Sequence, residues 1–502
     1  MPPSASDARA PSVLRYGSTL PIERIDALAG SWNEISSMIY SRPVVVDPFG
    51  EIRPDLVSSW TVSDDGTIYR LTVRDDAAWH DGTPVSPADV ALTLRMVADP
   101  TYADRIKPAL PDVESVEIDG TDVVLTFGRR VAGVLPLLAR ACVVPAHLVT
   151  ADEAADGALD RLTVGTGPYR LVERGAASCV LEAHGAYHGG TPGIDRVEIE
   201  LYAHDTARAE ALVAGAIDFA QVKPQDIALL RSADDVVVHQ IATRVWRALS
   251  FILDRPLVSD ADVRRGLAAV IDRAAVVDAA LGGFGQPQPW AVPPSSWAAP
   301  DREPPSGVAV ATEHLERAGW RRDGAGRWCS NGVPVELRFC YLETEAFRIA
   351  ASRELARQFE AFGVSVVLEP ITWQQYHEMD RTGLAGGPFD GIVVGWSGGP
   401  EPFDNLHSRY GTTGAYNRYG YSDATLDELL ERAEATADRS VAAALYANAL
   451  EIADRAAIMV PLVNPTYLFA ARRGLTGFEQ FELDSFYELT QYLHHFTWNN
   501  AD

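Results

Sequence analysis

Residues 67–100 read TIYRLTVRDDAAWHDGTPVSPADVALTLRMVADP. Tyr69, Leu71 and Val73 alternate with polar residues, which is the period of a half-buried strand. Asp81-Gly82 supplies a turn. Ser86 then stands as an N-cap, Pro87 as the first helical residue and Asp89 as an early acid. Val90, Leu94 and Val97 fall on one face of the helix that follows. A strand, a turn and an amphipathic helix in so short a span point to an α/β protein.

The same alternation continues along the chain. Residues 1–12 are rich in Pro, Ser and Ala and are expected to be disordered. Leu28–Tyr40 is the first expected helix. VEIDGTDVVLTF (116–127) reads as a hairpin around Asp119-Gly120. VGTGPYRL (164–171) brackets Thr166 with glycines and then enters a strand; its spacing fits no phosphate loop, and it reads as a crossing between domains. Asp205-Thr206 is expected to cap a short helix that ends at Gly215, with IDFAQV returning as a strand. DVRRGLAAVIDRAAVVDAAL (262–281) spaces its apolar residues as a single amphipathic helix. Residues 282–307, dense in Pro, Gly and Trp, read as a long irregular loop. A helix over 352–362 ends at Gly363 and passes into the strand VSVVLEPI, and Ser422 is expected to open a mostly helical run to about Met459.

At 502 residues the chain has length for several domains. Its hydrophobic content of 47% suits a packed interior, and no window approaches a membrane span. The formal charge is -26, with lysine only at 107 and 223. That charge repels phosphate backbones and argues against a nucleic-acid partner. It mildly favours cationic or zwitterionic ligands. The cysteines at 142, 179, 329 and 340 form no CxxC pair. Isolated buried thiols are expected, and in a two-residue hairpin at Asn331-Gly332, Cys329 faces Pro334 rather than Cys340. The N-terminus has neither a basic segment nor an apolar one of the kind that directs export.

No GxSxG, HExxH, HRD or SxxK motif is present. His494-His495 point to opposite faces if extended, and His184 and His188 sit among glycines. Neither pair makes a metal site, and no cofactor is expected. Trp79-His80-Asp81-Gly82 reads as structural hydrogen bonding within its turn. In VVGWSGGPEPFDNLH (393–407) an apolar run stops at Gly395, and an indole, a serine and Gly-Gly-Pro follow before Glu401 and Asp404. Glycines where a strand ends mark a bulge or a close approach of another backbone, and here they are expected to leave backbone open to a ligand.

The order of these motifs resembles the family 5 extracellular solute-binding proteins of ABC transporters, which include oligopeptide-, dipeptide- and nickel-binding proteins. IRPDLVSSWTVSDDGTIYRLTVRDDAAWHDGTPVSPADVALTL is similar to the family's N-terminal signature. VGTGPYRL, GIDRVEIELY with ARAEALVAGAIDFAQV, DADVRRGLAAVIDRAAVV, HLERAGWRRDGAGRW, ELARQFEAFGVSVVLEPITWQQY and PFDGIVVGWSGGPEP follow in the family's order, so the resemblance spans about residues 13–500.

The resemblance implies an α/β, two-lobed periplasmic-binding-protein-like (class II) fold with a small domain inserted in lobe 1. Lobe 1 is expected over 13–47, 166–246 and 471–502, the insert over 48–165 and lobe 2 over 247–470. Ligand binds between the lobes, a hinge closes over it, and the loaded protein meets ABC permease subunits. In peptide-binding relatives the strand around Gly-Trp pairs with the ligand main chain, and an acid just after it holds the ligand's α-amino group. Gly395, Trp396 and Ser397 match that strand, and the acid's place falls near Gly399. Glu401 or Asp404 are the substitutes for it. Nickel-binding relatives use arginine, aromatic groups and a histidine just after this segment, which Arg140 and His407 resemble. Trp32 and Trp373 complete the expected ligand-binding set. The ligand is expected to be a peptide or another small zwitterionic or aromatic molecule, and the protein a monomer. The family implies an extracytoplasmic place, in the periplasm or at the cell surface; without an export segment in this chain, the cytoplasm is the alternative. A second reading is a cytosolic biosynthetic enzyme that condenses an amine with a carbonyl, of Pictet–Spengler type, with Glu401 or Asp404 as acid and base.

Overall fold

The computed structural model describes residues 12–19, 25, 34–99, 110, 112–131, 133–155, 158–381, 387–399, 401–414, 416–436, 438–484 and 488–499. The chain divides into two compact units. Unit 1 is Met1–Ala242 with Tyr467–Asp502, and unit 2 is Thr243–Thr466.

Unit 1 is built on an eight-stranded mixed sheet. Val13–Ser18 lies inside it, parallel to both Arg196–Leu201 and Phe219–Val222. The helix Asp205–Ala214 connects those two neighbours, the crossover that parallel strands require. A second, antiparallel sheet of four strands occupies 57–127, with the helix Pro87–Ala98 packed on it through Val90, Leu94 and Val97. Leu71 and Val73 are buried, as their alternation requires. Ser86 caps the helix in a reciprocal box with Asp89, so the start signals of the sequence are the ones the chain uses. One continuous apolar cluster serves both sheets, from Leu14 through Leu71 and Trp79 to Phe496.

The 164–171 segment is fastened inside this unit. Thr166 is fully buried, and Ser41 bonds it twice. Gly167 N–H donates to Ile39 O at 2.7 Å. A Cβ at Gly165 would lie 2.0 Å from Ile39 O, and one at Gly167 2.6 Å from Met38 O. Glycine is required here because backbone meets backbone. His80 closes the other side: its N–H donates to Gly165 O, its Nδ1 accepts from Gly165 N–H, and its Nε2 lies 3.1 Å from Gly167 O. The turn that contains Trp79 and His80 is structural, as its sequence suggests.

Unit 2 holds a six-stranded mixed sheet in the order Gly285–Pro287, Met459–Pro465, Trp246–Phe251, Gly391–Trp396, Glu336–Leu342, Ser365–Ile371. Its central strands are apolar on both faces because both are covered. Leu249, Phe251 and Val393 enter one core, whereas Trp246, Ala248, Ile392 and Val394 enter the other, by the two-residue period of a strand.

Several local expectations change. The apolar pattern over 262–281 is two helices, Ala261–Ala269 and Arg273–Leu281. Asp272 ends the continuity by capping the second helix, while Gln358 takes both its N–H and its C=O. Val270 and Ile271 keep the apolar spacing across the break, so periodicity alone cannot show it. His204 caps the Asp205–Ala214 helix, and Asp423, not Ser422, caps Ala424–Ala435. Residues 282–307 include the short strand Gly285–Pro287. The first expected helix is helical over Glu34–Ile39, and 28–33 lie outside the described residues. Of the terminus expected to be disordered, Ser12 is held by Asp195 and residues 1–11 lie outside the described residues. All four cysteines are buried, and none is in a disulfide. Cys329 faces Pro334 across Asn331-Gly332, whose φ values are both positive. Burial pushes the Cys340 thiol up to about 12, which keeps it protonated.

Candidate functional site

The Gly391–Trp396 strand positions most of the residues singled out in the sequence. Along one side it pairs with Trp246–Phe251 throughout its length. Along the other it pairs with Glu336–Leu342 only at Gly391 and Ile392. Beyond that point Val393 O accepts from Arg348 Nη1 at 3.3 Å. Gly395, two residues on, turns its N–H and C=O to the same side as Val393. This is a length of strand edge without a strand partner among the described residues, the arrangement by which extended peptides add to a sheet.

What lies against the glycines is protein. A Cβ at Gly395 would meet the Arg247 guanidinium at 2.9 Å, and one at Gly398 would meet Arg244 O at 2.2 Å. Gly395 thus makes room for a side chain from the neighbouring strand, opposite it in register. The expectation that these glycines open the backbone to a ligand is corrected in that respect: the space above Gly395 and Gly398 is filled, and the open element is the strand edge.

Trp396 is half-buried. Arg409 lies 4.7 Å from its ring centroid, and Tyr416 packs at 5.5 Å. Arg409, from the helix Pro402–Tyr410, also donates to Ser397 O at 2.8 Å. The Trp396 indole N–H is buried without a hydrogen-bond partner. Such a donor is satisfied by a ligand acceptor or an ordered water. Gly399 is buried, and its O accepts from Asn405 Nδ2 at 3.1 Å. Glu401, half-buried, is the N-cap residue of the helix Pro402–Tyr410 but makes no side-chain cap. Asp404 lies in that helix, and its side chain falls outside the described set. His407 stacks on Phe403 at 4.8 Å.

Trp373 reaches this edge indirectly. It is 42% exposed at the start of the helix Trp373–Arg381, and the Arg348 that holds Val393 O lies 5.7 Å from its ring. Arg140 is in unit 1, just past the helix Val134–Leu138, and is half-buried. Trp32 lies outside the described residues. Sequence reading thus found the strand, its indole and the turn after it. It missed Arg247, Arg348, Arg409 and Asn405, which fix those groups. Nothing in the linear pattern marks them, since each lies on another element or a turn further along a helix.

The charge at this edge is largely arginine. Arg247, Arg348 and Arg409 all stand within reach of Val393–Ser397, with Glu345 bonded to Arg348 at 2.7 Å. No group of three or more His, Cys, Asp or Glu side chains able to hold a metal occurs among the described residues. His188 bonds Asp55, and His184 packs on His80. No helix among the described residues is long and apolar enough to cross a membrane.

Comparison with known proteins returns one family model, described as bacterial extracellular solute-binding proteins, family 5 Middle, over residues 51–417. Protein XP55 of Streptomyces lividans is 27% identical over 468 residues, covering 90% of this chain and 84% of its own. The probable D,D-dipeptide-binding periplasmic protein DdpA of Escherichia coli is 26% identical, covering 85% of this chain and 82% of its own. Among solved structures, NikZ from Campylobacter jejuni in complex with Ni(L-His) superimposes with a TM-score of 0.80 at 20% identity, over 97% of this chain and 99% of that one. That likeness carries the fold, a two-lobed α/β architecture of the periplasmic-binding-protein kind.

Proposed function

The chain belongs to the bacterial extracellular solute-binding proteins of family 5, and on that premise we propose that it captures a peptide or peptide-like small molecule and delivers it to the permease of an ABC importer. The family consists of substrate-binding proteins that work with ABC permeases, and no comparison favours the enzyme alternative. Within that class, peptide capture is supported by the strand edge at Val393–Trp396. An extended main chain laid there would pair its own N–H and C=O groups with those of Gly395.

 The N–H and C=O of Gly395 are the groups that such a chain would meet first. The Trp396 indole N–H offers a further donor, and Trp396 and Trp373 offer flat apolar surface.

The charge pattern sharpens the ligand class. The position near Gly399 carries no acid, and Arg247 and Arg348 bring positive charge to the strand edge. We read the site as holding a ligand carboxylate against this arginine group, and Glu401 or Asp404 stay the proposed acids for a ligand amine. The lobe boundaries expected from the sequence, a monomeric state and a place in the periplasm or at the cell surface belong to the same proposal. Native mass spectrometry of gently purified protein tests it: a retained peptide or amino-acid derivative is the expected mass. If a broad panel of short peptides leaves the melting temperature of the protein unchanged, the peptide reading fails.

A further inference from the structure

The strand edge of unit 2 is closed at both ends by arginine. Glu336–Leu342 pairs with Gly391–Trp396 as far as Cys340 and Ile392, and then stays with Ser365–Ile371 through Leu342. The helix Ala346–Ala361 that follows sends Arg348 back, and its Nη1 donates to Val393 O at 3.3 Å. The guanidinium thus stands in for the N–H of a further strand. Arg348 is itself held in place. Its Nε donates to Glu345 at 2.7 Å, and the rings of Trp373 and Tyr376 lie 5.7 and 5.6 Å from it. At the other end the strand stops at Trp396, and Ser397 O accepts from Arg409 Nη2 at 2.8 Å. Asn405 O and Ser408 Oγ both accept from Arg409 Nη1 at 3.0 Å.

Gly395 lies between these two arginines. Ile252 N–H donates to Asp390 O, so the hydrogen-bonded pairs with Trp246–Phe251 fall at Ile392, Val394 and Trp396. Gly395 therefore turns both its N–H and its C=O to the edge, where neither has a strand partner among the described residues. Gly395 is half-buried, and what a glycine exposes is main chain. Arg247 sits where a Cβ would be, over the face of the sheet rather than along its edge.

Resting on the peptide reading of this edge, we infer that Arg348 and Arg409 limit main-chain pairing to one ligand residue, so that the site selects dipeptides and N-acyl amino acids over longer peptides. The paired residue is the ligand's C-terminal one, because a carboxylate next to it meets a guanidinium. A longer peptide gains nothing further from the edge: Val393 O and Ser397 O already have donors. Each added residue still costs the entropy of ordering it. Arg348 and Arg409 are in this sense specificity-determining residues, acting by the backbone groups they occupy.

Mixed-sequence libraries of dipeptides and of pentapeptides, offered to the full chain in competition, test this with native mass spectrometry as the readout. Dipeptides are expected to be retained at least about tenfold over pentapeptides. Equal retention of the two lengths overturns the length limit and leaves the peptide reading standing, whereas retention of neither overturns both. Arg348→Met keeps the apolar stem and removes the donor to Val393 O; it is expected to shift the preference toward pentapeptides by at least about tenfold. An unchanged preference in the folded variant overturns the role of Arg348. Should the variant fail to fold, amide hydrogen exchange of the unaltered chain decides. Within Gly391–Trp396, Gly395 alone is expected to gain protection when the dipeptide library is added. Protection of Gly395 equal to that of Val394 before any peptide is added overturns the inference, and so does a gain spread along the strand.

Discussion

Two glycine-bearing stretches look alike in sequence and pack against different things. In VGTGPYRL of unit 1, added Cβ atoms at Gly165 and Gly167 run into the main chain of Met38 and Ile39. In VVGWSGG of unit 2, an added Cβ at Gly395 meets the movable tip of Arg247. Backbone in the interior cannot step aside, whereas a guanidinium can rotate away. The first stretch is a fastening and the second is a wall with adjustable parts. Within the second stretch Gly398 behaves like the first, because its neighbour is the Arg244 carbonyl. A glycine's meaning therefore depends on the atom its missing Cβ would touch.

The largest effect that tests this contrast is at the fastening. Gly167→Ala and Gly165→Ala are expected to cost about 3–5 kcal/mol each, since no rotamer change relieves a collision with main chain. Urea unfolding of the full chain measures it, and a cost under about 1 kcal/mol would break the comparison.

Next comes pH. Burial lowers the His80 imidazole to about 4, helped by the neighbouring His184 and Arg170 charges and opposed by the Gly167 carbonyl. The neutral ring accepts from Gly165 N–H at Nδ1 and offers Nε2–H to Gly167 O. Because the folded value lies below the ordinary 6.5, this stability is complete above that pH. It falls away as pH drops toward 4, where the folded ring takes its proton and Nδ1 can no longer accept. The loss is on the order of 2 kcal/mol. Melting temperature is expected to fall over this range and to fall less in His80→Asn. His494, lowered to about 4 by burial and the neighbouring His495, adds to the slope in the same direction.

Trp396→Ala addresses the wall. Losing the surface stacked under Arg409 and the unpaired indole N–H is expected to weaken peptide binding by about 2 kcal/mol, roughly thirtyfold. Calorimetry with whichever peptide stabilises the wild type reads it, and unchanged affinity would remove Trp396 from the site. The smallest effect belongs to Gly395→Ala. Stability is expected to change by less than about 1 kcal/mol while Arg247 shifts. A loss as large as that of Gly167→Ala would erase the distinction between fastening and wall.

Much of the fold was legible because its signals are local. Ser86-Pro87 and Asp89 start a helix whatever surrounds them, and Asn331-Gly332 sets the partner of Cys329 by turn geometry alone. Two helix caps fell one residue from their expected place, at His204 and Asp423, and at the largest misreading a distant residue had intervened. Gln358 helps break the helix expected across 262–281 from 86 positions away. The candidate site divides in the same manner. Gly395, Trp396 and Ser397 stand out in the linear pattern, but Arg247, Arg348 and Arg409 reach them from one neighbouring strand and two helices.

The sequence by itself determined the order of strands and helices, the family and the stretch that ends the central strand of unit 2. These follow from hydrophobic period, caps and turns, which act over a few residues. Only the tertiary structure decided what fills the space above each glycine, which strand edge is left without a strand partner among the described residues, and that Nε and Nη2 of Arg42 are buried without a hydrogen-bond partner. Those are relations between segments far apart in the chain, set by packing density and by the need to satisfy every buried polar group, and no local pattern encodes them.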